Sequence, residues 1–137
     1  VPIDWSVRFF DASQRPYEPP DIVMLAKQDP IKTQTVDRLD YLSSRGIADG
    51  LPNDNVALVA EAVVELPAGE LILRTISDDG VRAYVDGKLV IDRWDVHESV
   101  VDETPIRAGR RKLRVEYFDR TGWAELRVEI VKHRTLP

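Results

Sequence analysis

The chain has 137 residues, 43% hydrophobic and 31% charged, enough to bury one core and too few for two ordinary domains. Nineteen basic against 24 acidic residues give a net charge of -5 with the signs interleaved, which argues against nucleic acid and anionic membranes as partners, and no apolar run is long enough to insert into a membrane. The absence of cysteine excludes disulfides, zinc–thiolate sites, iron–sulfur clusters and thiol catalysis without fixing the compartment.

Residues 1–137 are read as one domain. With Val1 at its start and no charged segment leading into an apolar one, the chain is expected to be a mature or excised piece of a larger protein. Trp5-Ser6-Val7-Arg8-Phe9 alternates and predicts a first strand. Residues 11–55 form an irregular, loop-rich segment with Pro16, Pro19, Pro20, Pro30 and Pro52, in which strands around 35–42 are the alternative to functional loop. Residues 56–66 are β-branched and apolar and read as a buried strand; Ala57, Ala60, Glu61 and Ala62 keep a helix open as the alternative. Three short β-type runs follow at 71–77, 81–85 and 88–92. They are punctuated by Asp79-Gly80 and Asp86-Gly87, dipeptides that favour tight turns, and predict an antiparallel meander.

Between residues 92 and 103 lie Asp92, Asp95, His97, Glu98, Asp102 and Glu103, whose spacing fits no metal motif and reads as a solvated loop. Residues 111–119 and 124–131 alternate cleanly: Leu113, Val115 and Tyr117 oppose Lys112, Arg114 and Glu116, while Leu126, Val128 and Ile130 oppose Arg127 and Glu129. With only Asp119 to Trp123 near the junction, these two strands are expected to pair as a hairpin. Short strands at turn-spaced intervals, with one inner face and no amphipathic helix, predict an all-β fold. A two-sheet antiparallel β-sandwich is the leading form and an orthogonal barrel the alternative.

The run Thr-Ile-Ser-Asp-Asp-Gly-Val-Arg-Ala-Tyr-Val-Asp-Gly-Lys-Leu-Val-Ile-Asp-Arg-Trp from Thr75 to Trp94 resembles the signature of the protective-antigen-type (PA14) domain family. The resemblance extends through Leu66-Pro67-Ala68-Gly69, the glycine turn and strand from Ala108 to Phe118, and Gly122-Trp123-Ala124-Glu125-Leu126. It covers about 56–130 and is loose before that, resting on Trp5, Phe9 and the proline-rich connection. It implies a β-sandwich used as a non-catalytic module of glycosidases, other secreted enzymes, adhesins and toxins, several members being calcium-dependent lectins. In such lectins the adjacent aspartates, here Asp78 and Asp79, hold calcium across a peptide that is often cis. Calcium takes six to eight oxygen ligands, so carboxylates leave positions open for two neighbouring sugar hydroxyls. Adhesin-type members add an asparagine from the last loop; here Asp119, or the hydroxyl and carbonyls of Thr121, would stand in. The ring of Trp123 is the expected stacking surface for a pyranose.

Local chemistry alone reads Asp79-Gly80 as a hairpin turn capped by Asp78, Asp86-Gly87 as a structural turn and Trp94 as a packing residue. Nucleophile elbows, phosphate loops and zinc helices are absent, and His97 and His133 lie in a loop and at the C-terminal end. The expected protein is therefore not an enzyme, although carboxylate pairs for glycoside hydrolysis leave a small glycan-processing enzyme as a distant option. It is expected to be a secreted or cell-surface carbohydrate-binding module, with calcium as cofactor and a glycan and neighbouring domains as partners. The alternative is a structural or protein-interaction module packed on neighbouring domains without sugar or metal.

Overall fold

The computed structural model describes residues 3–14, 18–43 and 50–133. Pro16 and the remaining parts of the predicted loop-rich segment, 15–17 and 44–49, lie outside the described residues. Among the described residues ten strands and one helical turn follow in order: β1 (Trp5–Asp11), α1 (Ile22–Leu25), β2 (Lys32–Val36), β3 (Leu39–Ser43), β4 (Val56–Leu66), β5 (Leu71–Asp78), β6 (Val81–Val85), β7 (Lys88–Arg93), β8 (Val100–Ile106), β9 (Gly109–Asp119) and β10 (Ala124–Lys132). They form a six-stranded sheet, β2-β1-β4-β9-β6-β7, and a four-stranded sheet, β3-β10-β5-β8, both antiparallel. The two sheets face each other as a sandwich around Trp5, Val7, Phe9, Leu58, Leu73, Leu113, Tyr117 and Leu126. Each fully buried aliphatic or aromatic side chain here contributes on the order of 1.5–3 kcal/mol.

β4 is a strand along its whole predicted length because it is central in its sheet, between β1 and β9, and buried on both faces near its start. Its outward Ala57 and Val59 join Phe10, Ala12, Ile22 and Phe118 in a second apolar cluster, which α1 covers and against which Leu25 and Trp94 pack. The Asp21 side chain caps α1 by accepting from Met24 N at 3.2 Å. Among the described residues no helix is long and apolar enough to cross a membrane.

Two expected pairings are corrected. β9 and β10 do not form a hairpin: β9 pairs with β4 and β6, and β10 with β3 and β5, so residues 119–123 carry the chain from one sheet to the other. An alternating pattern states which side of a strand faces the core, and a strand in the opposite sheet satisfies it as well as a neighbour does. For the same reason the meander shrinks to β6–β7, because Asp79-Gly80 crosses from β5 in the four-stranded sheet to β6 in the six-stranded one. The loop reading of 92–103 also needs correction, since β8 begins at Val100. This edge strand carries Val100 and Ile106 on one side and Val101 and Pro105 on the other, which hides the period of two. Within 11–55 the alternative with strands is the one observed, as β2 and β3.

Asp86-Gly87 makes the turn expected of it between β6 and β7, with φ of 51° and 82°.

Candidate functional site

The inward faces of β5 and β9 change chemistry along their length. On β5 the core-facing series runs Leu71, Leu73, Thr75, Ser77, and on β9 it runs Leu113, Val115, Tyr117, Asp119. Both series turn polar toward the same end of the sandwich, where Asp78 and Asp79 follow. The Asp78–Asp79 peptide is cis, the form that the resemblance implies. The crossover is held by backbone bonds from Asp79 N to Phe118 O at 3.3 Å and from Phe118 N to Gly80 O at 3.1 Å. The buried Tyr117 hydroxyl donates to Asp78 O at 2.6 Å. Burial and the charges of Asp119, Asp79 and Asp78 hold that phenol well above the usual tyrosine range, so it remains a donor. Gly80 is required by contact: a Cβ there would overlap the Phe118 ring.

Asp79, only 3% exposed, uses both carboxylate oxygens, Oδ1 accepting from His97 N at 3.3 Å and Oδ2 from Arg120 N at 2.7 Å. Asp119 is different. It is 1% exposed, and among the described residues neither carboxylate oxygen has a hydrogen-bond partner. Its carboxyl is pushed up to about 8, first by burial and then by the charges of Asp79, Asp54 and Asp78. Asp78 is pushed up to about 6, first by burial, then by the charge of Asp79 and a hydrogen bond with it, while His97 acts the other way. Buried carboxylates so arranged call for a proton or a cation, and an all-oxygen set suits a hard cation such as calcium better than a soft one. Among the described residues no three Asp, Glu or His side chains form a ready-made metal cage, so the carboxylates would need backbone oxygens, water or ligand hydroxyls to complete a shell.

Loops wall this end. Arg120 Nη1 donates to Asn55 Oδ1 at 3.4 Å, Nη2 donates to Glu18 O, and its guanidinium lies over the Phe118 ring at 5.6 Å. Asn55 N donates to Arg120 O at 2.9 Å, and Gly122 N to Asp54 Oδ1 at 3.2 Å, which pins the 119–123 crossover to the residues before β4. Beyond that anchor Thr121 is exposed and Trp123 is 44% exposed. Asp78, Asp79 and Asp119 are thus brought together, with Asp119 buried beside the pair, while Thr121 and Trp123 belong to the exposed part of the loop.

Trp94 takes the packing role expected of it, edge-on to Phe118 at 4.8 Å, beneath the Arg82 guanidinium at 4.2 Å, with Nε1 donating to Pro20 O at 3.1 Å. The 94–99 loop is more than a solvated connection, because its His97 amide reaches Asp79 and its Ser99 hydroxyl donates to Glu125 Oε1 at 2.5 Å. His97 Nε2 is buried without a hydrogen bond among the described residues, while Nδ1 lies 2.6 Å from Glu98 O. Arg120, Asn55, Asp54, His97 and Glu125 are the neighbours that sequence reasoning missed. Asp119, already a candidate from the sequence, continues the core-facing series of β9, two residues beyond Tyr117.

A family model described as the PA14 domain matches residues 7–135. None of the curated protein sequences matches the chain. Among solved structures, an anti-sigma factor domain-containing protein superposes with a TM-score of 0.77 at 18% identity, over 95% of this chain and 43% of that one, so the chain spans less than half of it. The PA14 domain of the MpAFP antifreeze protein superposes at 0.75 and 14% identity, over 93% of this chain and 80% of that one. The PA14 sugar-binding domain from an RTX adhesin superposes at 0.71 and 18% identity, over 96% and 90%. At these identities the likenesses speak for the fold.

Proposed function

The chain belongs to the PA14 domain family, and on that footing we propose that it is a non-catalytic, calcium-dependent carbohydrate-binding module that tethers a larger secreted or cell-surface protein to glycans. The observation that carries this reading is Asp119, a buried carboxylate beside Asp79 and Asp78 with neither oxygen hydrogen-bonded among the described residues. The similar fold of a sugar-binding adhesin domain supports it. Asp78, Asp79 and Asp119 would hold the ion. Bound calcium supplies open coordination positions for vicinal sugar hydroxyls.

The chain's own residues do the rest. The amides of His97 and Arg120 fix the Asp79 carboxylate in place. The Arg120 side chain ties the crossover to Glu18 and Asn55, so the carboxylates sit on a braced frame rather than a mobile tip. The Trp123 ring offers a flat apolar surface to a pyranose face, and Thr121 a hydroxyl beside it. A single site of this kind binds weakly, and several copies on one surface give useful attachment through high effective concentration.

The test is calorimetric titration of calcium into the wild type and Asp119→Asn, followed by glycan-array binding in calcium and in chelator. The expected result is calcium binding that Asp119→Asn loses and glycan retention that chelator abolishes. Retention undiminished by chelator would remove the metal-bridged mechanism, and no retention in either condition would return the chain to a structural role between domains.

A further inference from the structure

Charged residues that face one another in register across these sheets are matched by sign almost everywhere. On the outward face of the four-stranded sheet Arg127 meets Asp40 at 3.0 Å, and Arg74 meets Glu103 at 3.5 Å and Glu129 at 3.9 Å. Across the six-stranded sheet Glu61 faces Arg114, and Arg82 faces Glu116. The exception is Glu125 on β10, which lies directly opposite Asp78 on β5. Like charges in this position weaken a sheet, and this pair stands at the end where Asp79 and the unpartnered Asp119 carboxylate are already crowded.

Glu125 is also placed to meet a ligand. Ala124 and Leu126 are buried in the core, so Glu125 points outward beside Asp78 on the neighbouring strand, and the exposed Trp123 lies two residues earlier in the chain. Its Oε1 accepts from Ser99, and Oε2 takes part in no hydrogen bond among the described residues. Asp54, Asp78, Asp79, Asp119 and Glu125 bring five carboxylates to this end. The nearby guanidinium, Arg120, is engaged by Glu18 O and Asn55. One divalent cation and the Arg120 guanidinium together offset three of those charges and leave the field at the mouth negative.

We infer that Glu125 is a specificity-determining residue, accepting a sugar hydroxyl and, through the unmatched charge it shares with Asp78, restricting the site to uncharged glycans. Glycans carrying carboxylate or sulfate meet like-charge repulsion, the usual means by which an interface refuses a partner. This rests on the carbohydrate-binding reading given above.

The full chain is probed in calcium on a printed array that sets neutral oligosaccharides beside their sialylated, uronic-acid and sulfated counterparts, with calcium calorimetry and thermal unfolding of each variant alongside. The wild type should retain neutral members about tenfold or more better than their anionic counterparts. Glu125→Gln should narrow that ratio severalfold, and Glu125→Lys should reverse it for some pairs, with calcium stoichiometry unchanged in Glu125→Gln. Equal retention of both classes by the wild type, a ratio unmoved in both variants, or loss of calcium binding in Glu125→Gln would each overturn the assignment of Glu125 and leave the carbohydrate-binding reading standing. A wild type that binds calcium but retains no glycan would overturn both.

Discussion

Two Asp-Gly dipeptides lie seven residues apart, and the chain uses them in opposite ways. Asp86-Gly87 is an open hairpin turn: Asp86 Oδ1 accepts from Lys112 N at 2.9 Å and Oδ2 from Arg111 at 2.8 Å, and a Cβ on Gly87 would meet nothing. Those hydrogen bonds, first from the Lys112 backbone and then from Arg111, draw the Asp86 carboxyl below its usual range. Asp79-Gly80 crosses between sheets, with Gly80 pressed on Phe118 and with Asp78 and Asp119 beside Asp79. The same two residues therefore serve as a self-satisfied turn at one place and as part of an acidic site at the other. Both carboxylates accept two hydrogen bonds; the difference is that Asp86 is exposed with the Arg111 guanidinium on it, whereas Asp79 is buried beside two further carboxylates.

The largest effect should separate the two aspartates by their response to calcium. Calcium at a hundredfold its dissociation constant should stabilise the wild type by about 2.7 kcal/mol, a rise of several degrees in thermal unfolding. Asp119→Asn should abolish that rise while making the chelated protein more stable, and Asp86→Asn should leave the rise intact. A calcium response that survives Asp119→Asn would break the contrast. In chelator, pH should act on the two places with opposite sign. Asp78 and Asp119 hold protons more tightly in the folded chain than in the unfolded one, at about 6 and about 8 against 3.8. Their contribution is thus fully present below about pH 4 and is lost as pH rises through 6 and then 8. Asp86, held below its usual range, contributes above the ordinary carboxylate range and loses that contribution as pH falls through its lowered value. Urea unfolding across that range in Asp119→Asn and Asp86→Asn tests each slope separately.

Gly80→Ala should cost about 1–3 kcal/mol because the Phe118 ring, wedged against Trp94, has no room to yield. Gly87→Ala should cost about 1 kcal/mol, the penalty of a left-handed backbone conformation in open space. Equilibrium denaturation that ranks Gly87→Ala as the more damaging would contradict the crowding seen at Gly80. The smallest effect on folding is expected from Trp123→Ala, within about 0.5 kcal/mol because the ring is exposed. Its glycan retention should nevertheless fall sharply, and array binding alongside thermal unfolding shows whether the two effects separate.

Much of the architecture was legible in the chain itself. Strands β1, β4, β5, β6, β7, β9 and β10 could be placed to within about two residues, because each alternates or is continuously apolar between turn residues. β8 was not, since apolar residues on both its sides erase the alternation. At the site, Asp78 and Asp79 stood out through the family signature, and Asp119 through its neighbourhood. Arg120 and Glu125 did not, because each resembles any charged residue of a half-buried strand or loop until its partner is known.

What the sequence by itself determined is the strands β1, β4 to β7, β9 and β10, the side of each that faces the core, the open Asp86-Gly87 turn and the presence of paired aspartates. Period and turn chemistry are local, and local interactions choose them. Only the tertiary structure decided which strands share a sheet, that Asp79-Gly80 and residues 119–123 are crossovers rather than hairpins, and that Asp119 is buried unpartnered beside Asp79. Those outcomes depend on residues far apart in the chain, such as Tyr117 with Asp78 at 39 positions and Arg120 with Asp79 at 41. No local pattern encodes such a distance, and it is closed only when the two sheets bury their inner faces against each other.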